Sequence, residues 1–78
     1  MNQSTQLSFG EKSVGLSFNP GGNPKVEQIK REFAQSIDTL NDLRNATDSD
    51  EVKRMLSIAI TEVQTAQMWA VKAVTWQD

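Results

Sequence analysis

From Val26 onward apolar residues recur at steps of three and four. Val26, Ile29, Phe33, Ile37, Leu40 and Leu43 form one stripe, with Lys25, Glu27, Lys30, Arg31 and Glu32 on the polar side. The spacing predicts a helix over about 24–45. Asn23-Pro24 opens it: Asn is a favoured N-cap, and Pro at the first helical position lacks only an N–H that would have no partner there. Asn45-Ala46-Thr47-Asp48-Ser49 is a short connector, of the length that makes neighbouring helices antiparallel. A second helix over about 49–76 follows, uninterrupted by Gly or Pro. Thr47 or Ser49 can cap it, and Asp48, Asp50 and Glu51 place negative charge at its positive dipole end.

The second helix carries two apolar stripes. Val52, Leu56, Ala59, Val63, Ala66, Ala70 and Ala73 make a heptad-spaced seam; Met55, Ile58, Thr65, Trp69 and Trp76 make another beside it. One partner helix covers one stripe, so the other is left for the N-terminal arm or a second subunit. That arm, residues 1–23, is polar and glycine-bearing. Leu7-Ser8-Phe9 and Val14-Gly15-Leu16-Ser17-Phe18 alternate apolar and polar positions, a weak signal for an extended arm broken by Gly10 and Gly15. Asn19-Pro20-Gly21-Gly22 predicts a type II turn, with Pro20 presetting φ and Gly21 supplying the positive φ. The expected fold is all-α: an antiparallel two-helix hairpin (24–78) with an N-terminal extended or turn arm (1–23) packed on it, assembling as a homo-oligomer.

Composition narrows the function. Seventy-eight residues make one small domain, with a core that hides only about 60% of the unfolded surface. There is no Cys, His or Tyr, which excludes a disulfide scaffold, a zinc finger, a Cys or His nucleophile and a histidine general base. Carboxylates, lysines and hydroxyls remain, and nothing among them is spaced as a catalytic or metal-binding constellation; the expectation is no enzyme, no metal and no cofactor. A net charge of −2 argues against duplex nucleic acid as a partner. No apolar run is long enough to span a bilayer, and Met1 to Gln6 lacks the marks of a signal peptide, so the chain reads as cytosolic. Asn45-Ala46-Thr47 is a chance glycosylation match. Asp48, Asp50 and Glu51 read as a helix-end charge bias.

Two places hold candidate binding chemistry. The glycine turn leads into a helix N-terminus with Lys25, Lys30 and Arg31 in its first two turns, a weak anion site; Gly21-Gly22 itself lacks both Gly-x-Gly-x-x-Gly and Walker spacing. At the far end, Trp69, Lys72 and Trp76 share a helix face. In an antiparallel hairpin the two ends meet, so Lys25, Lys30 and Lys72 are expected to converge beside Phe18 and Trp69. Cations with flat aromatics suit a nucleotide, whose bases stack and whose phosphates pair.

Gly10-Glu11-Lys12-Ser13-Val14-Gly15-Leu16-Ser17-Phe18-Asn19-Pro20-Gly21-Gly22, the Val26-x-x-Ile29-Lys30 step and the stretch Thr65 to Trp76 resemble the phage helical-hairpin domain of anti-CBASS cyclic-oligonucleotide sponges. The same hairpin recurs in sponges that counter Thoeris immunity. The resemblance runs from about Leu7 to Trp76. It implies a protein that sequesters cyclic dinucleotides, and often cyclic trinucleotides, without degrading them, acting in the infected host's cytoplasm as a homo-oligomer, typically a hexamer. By position it implies Phe18 as the base-stacking ring, Lys30 as the phosphate partner and Lys72 in place of an arginine. The expected ligand-binding set is Phe18, Asn19, Pro20, Lys25, Lys30, Trp69 and Lys72. The competing expectation is a helical assembly or adaptor protein without a small-molecule ligand.

Overall fold

The computed structural model describes residues 6–78; Met1 to Thr5, and with them most of the segment read as free of a signal peptide, lie outside it. Asn23 starts α2 (Pro24–Ala46), its Oδ1 accepting from the backbone N–H of Lys25 at 2.9 Å and of Val26 at 3.4 Å. Thr47 is extended and ends it. Ser49 caps α3 (Asp50–Val74), its Oγ accepting from Val52 N at 3.2 Å, while its own N–H donates to Thr47 Oγ1. This connector folds α3 back along α2. All regular structure among the described residues is helical.

The arm departs from the expected extended form. Phe9–Ser13 is a short helix, α1, and Ser8 and Glu11 close a capping box around its first turn: Ser8 Oγ accepts from Glu11 N at 3.1 Å, and Glu11 Oε1 accepts from Ser8 N at 2.9 Å. Gly15, at φ 64°, ends it with Leu16 N donating to Glu11 O and Gly15 N to Lys12 O, a Schellman arrangement. Alternation was the weaker signal; Ser-x-x-Glu followed by a terminating glycine was the stronger one. The Asn19–Gly22 turn has the expected type II form, with Gly22 N donating to Asn19 O at 3.0 Å and Gly21 at φ 82°, ψ −5°.

Asp38 of α2 fastens α1. Its Oδ2 accepts from Ser8 Oγ and its Oδ1 from Gly10 N, both at 2.7 Å. Gly10 is buried because the backbone of α2 passes directly beneath it. The arm then drops Val14 and Leu16 into the groove, where Val14, Ala34, Ile37 and Ile60 form the core, with Phe33, Leu40 and Val63 around it. Ile37 has no exposed surface. Each such side chain contributes about 1.5–3 kcal/mol.

Because the arm shares this core, α3 presents a different inner face from the expected seam. Ile60 and Gln67 are its buried residues, and Val52, Ala66 and Ala73 face outward. A seven-residue repeat drifts by about 20° per heptad on a straight helix, and α3 turns toward Val14 and Leu16 rather than following that repeat. Lys30, expected on the polar side of α2, is only 6% exposed. The second stripe of α3 stays uncovered, since the arm lies on α2 and the groove. Met55, Ile58, Trp69 and Trp76 are all exposed. With extents of 45 × 39 × 12 Å the chain is one helix layer thick, too thin to bury both sides of α3.

Candidate functional site

Lys30 stands one turn along α2 from Val26, on the side that the arm crosses. Its Nζ donates to the backbone oxygens of Gly15 at 2.9 Å and Phe18 at 2.5 Å, and lies 5.5 Å from the centre of the Phe18 ring. An ammonium has three N–H donors, so one remains. The ion pairs among the described residues are Arg31–Glu27 and Arg54–Glu51; Lys30 therefore has no carboxylate partner. A buried charge without a counter-charge loses hydration worth several kcal/mol, which two carbonyls and one ring face offset in part.

Above Lys30 is an open hollow of about 270 Å³. Phe18, Asn19 and Pro20 of the turn form one side, Asn23, Val26 and Lys30 the floor, and Val71 and Thr75 of α3 the other side. The turn is rigid where it matters: Asn19 Nδ2 donates to Asn23 O at 3.0 Å and its Oδ1 accepts from Asn23 N at 3.2 Å. Phe18, in contrast, offers its ring to solvent at 72% exposure.

A second hollow, of about 370 Å³, is lined by Trp69, Lys72, Ala73 and Trp76. Lys72 Nζ sits 5.4 Å from the Trp69 ring centre and 5.9 Å from that of Trp76, contacts worth about 0.5–1 kcal/mol each at an exposed site. Trp76 lies past the end of α3 and is held by its Nε1 donating to Asp78 Oδ1 at 2.9 Å. Both hollows use the last two turns of α3. At about 100° per residue, Val71 and Thr75 face one and Trp69, Lys72 and Ala73 the other.

Six of the seven sequence-expected site residues thus fall into two groups. Phe18, Asn19, Pro20 and Lys30 meet in the first hollow, Trp69 and Lys72 in the second, and Lys25 lines neither. The expected convergence of Lys25, Lys30 and Lys72 does not form, because Lys30 points inward under the arm and Lys72 outward over the tryptophans. The helix N-terminus is also closed to an anion. Pro24 has no N–H, those of Lys25 and Val26 are taken by Asn23 Oδ1, that of Glu27 by Asn23 O, and Arg31 pairs with Glu27. Sequence reasoning missed Asn23, Val26, Val71 and Thr75 as lining residues. The antiparallel register, which brings Val26 opposite Val71, is the signal that would have found the apolar pair.

The Arg54 guanidinium, 2.6 Å from Glu51, holds that carboxyl below its ordinary value, but this exposed pair is at the opposite end of α3 from both hollows. Among the described residues no group of His, Cys, Asp or Glu is placed to hold a metal ion, and no helix is long and apolar enough to cross a membrane.

A helical hairpin that offers flat rings and ammonium groups in open hollows is the class of fold and surface that the chain presents. Its family is specific: the Acb2/Tad1 hairpin domain matches residues 11–75, most of the chain, and the protein belongs to that family of anti-CBASS and anti-Thoeris sponges. Neither the curated proteins nor the solved structures contain a match.

Proposed function

We propose that the protein is a phage immune-evasion sponge. It binds cyclic dinucleotides, and cyclic trinucleotides as well, holds them uncleaved, and so keeps CBASS effectors in the infected cytoplasm from being activated. Lys30 carries the reading. A buried ammonium without a carboxylate, set under an open hollow beside an exposed aromatic ring, is completed by a phosphate and a stacked base.

The magnitudes favour a site shared between subunits. The first hollow holds about 270 Å³, below the roughly 300–1,000 Å³ usual for a complete small-molecule site. One stacked base is worth about 1–3 kcal/mol and one charge-assisted contact about 1.5–3 kcal/mol. Nanomolar capture takes about 12 kcal/mol, which one such set does not reach. A cyclic dinucleotide has approximate two-fold symmetry, and an isologous pair of chains offers every contact twice. The outward stripe of α3, with Met55, Ile58, Trp69 and Trp76 on one side of a single layer, is the surface on which copies assemble, a hexamer being the expected form.

The test is calorimetric titration with a panel of cyclic di- and trinucleotides, followed by heat denaturation and mass analysis of the released ligand. Tight uptake with intact recovery is the expected result. Shortened linear product would make the protein an enzyme, and a defined oligomer that takes up no nucleotide would make it an assembly or adaptor protein.

A further inference from the structure

The two ends of the Asn23 amide are unequally engaged. Its Oδ1 faces the N–H groups of Lys25 and Val26 at 2.9 and 3.4 Å. That contact fixes which end is oxygen, since a flipped amide would set NH₂ against two donors. The Nδ2 is thereby fixed on the opposite edge, with no acceptor among the described residues, and Asn23 lines the Phe18 hollow. The other polar side chains there are already engaged. Asn19 uses both ends of its amide on the Asn23 backbone, and the Thr75 hydroxyl donates to Val71 O at 2.8 Å. Asn23 Nδ2 and the third N–H of Lys30 are the side-chain donors left over.

Resting on the sponge reading, we infer that Asn23 is a preset hydrogen-bond donor to the ligand in this hollow and helps to determine what it accepts. An asparagine that reads adenine uses oxygen and nitrogen together. Here the oxygen is committed to the helix, so Asn23 only donates. Its partner is an acceptor: a phosphate oxygen, or the O6/N7 edge of guanine. The helix cap supplies the rigidity, and the amide enters binding already oriented.

Two substitutions separate capping from binding, because Ser and Asp cap helices about as well as Asn. Asn23→Ser removes the Nδ2 donor and leaves a hydroxyl too short to reach the same place, and Asn23→Asp replaces it with an anionic oxygen facing an anionic ligand. Wild type and both variants are titrated with the cyclic dinucleotides of guanine and of adenine, and melted by circular dichroism. The expected result is melting within a few degrees of wild type, affinity about tenfold weaker for Asn23→Ser, and weaker again for Asn23→Asp. Equal losses on the two ligands assign the contact to phosphate; a larger loss on the guanine ligand assigns it to the base edge. Asn23→Asp binding as tightly as wild type overturns the role of Asn23 alone. So does an affinity loss that merely follows a fall in melting temperature, which marks a cap and nothing more. Wild-type protein that takes up neither ligand overturns the sponge reading, and this role with it.

Discussion

Gly10→Ala adds one methyl group at the point where α1 rests on the backbone of α2. A Cβ at Gly10 would overlap the Ala34 carbonyl oxygen and stand 2.8 Å from Asp38 Oδ1, inside the 3.0 Å that real Cβ atoms keep. The oxygen belongs to an α2 peptide and cannot move aside, so α1 must retreat by about 1 Å or more. The two 2.7 Å bonds to Asp38 then stretch out of range. Charge-assisted bonds of this kind contribute about 1.5–3 kcal/mol each, and Ala returns about 1 kcal/mol of helix propensity. The net loss is about 2–5 kcal/mol, a fall of about 10–30 °C in melting temperature for a domain this small. Gly15→Ala is the comparison: its Cβ meets nothing within 4 Å, and only the φ of 64° opposes it, at about 1–2 kcal/mol. Thermal melts by circular dichroism give the ranking, and amide exchange across residues 10–18 gives its place in the chain. Gly10→Ala melting within 2 °C of wild type, or no worse than Gly15→Ala, would refute the docking of α1 on Asp38.

Three further outcomes follow from the geometry. Lys30→Met keeps the buried methylenes but leaves Phe18 O without its donor; calorimetry should show cyclic dinucleotide binding lost, with about 1–2 kcal/mol less stability and unchanged oligomer mass by sedimentation. Retained affinity there excludes Lys30 as the phosphate partner. Ile58→Glu puts a charge on the outward stripe of α3, where Ile58 is already 46% exposed; sedimentation should report single chains, while helicity changes little because surface substitutions stay within about 0.5 kcal/mol. An intact oligomer moves the interface elsewhere. Trp69→Ala removes a ring from the second hollow and from the outward stripe of α3, so sedimentation should report a weakened oligomer and calorimetry a weaker uptake of cyclic dinucleotide. Unchanged mass and unchanged affinity would mean that Trp69 serves neither assembly nor binding.

The hairpin was legible because its signals are local. Asn23-Pro24 and Ser49 mark the two helix starts, and an uninterrupted apolar period runs through each helix. The conformation of the arm was legible too, in Ser8-x-x-Glu11 and Gly15, but a glycine inside a short helix resembles a strand breaker until the backbone of α2 is seen beneath it. What could not be read was burial decided by three segments meeting at once. Lys30 stands four residues after Val26 and seven before Ile37, at an inward spacing, but an ammonium reads as solvent-facing until the carbonyls of Gly15 and Phe18 are seen to receive it. The same holds for Ile60 and Gln67, turned inward because Val14 and Leu16 fill the groove. Phe18 and Lys30 were reachable through resemblance. Asn23 was hidden by its own success as a cap, which accounts for its oxygen and conceals its nitrogen.

The last two turns of α3 form the partition between the hollows, with Val71 and Thr75 on one side and Trp69, Lys72 and Ala73 on the other. A helix end of this kind frays readily when nothing leans on it. On the sponge reading, an occupant on either side would lean on the same stretch of backbone. Any ordering that one guest imposes there would, by thermodynamic reciprocity, tighten the grip on a guest in the other hollow by an equal factor.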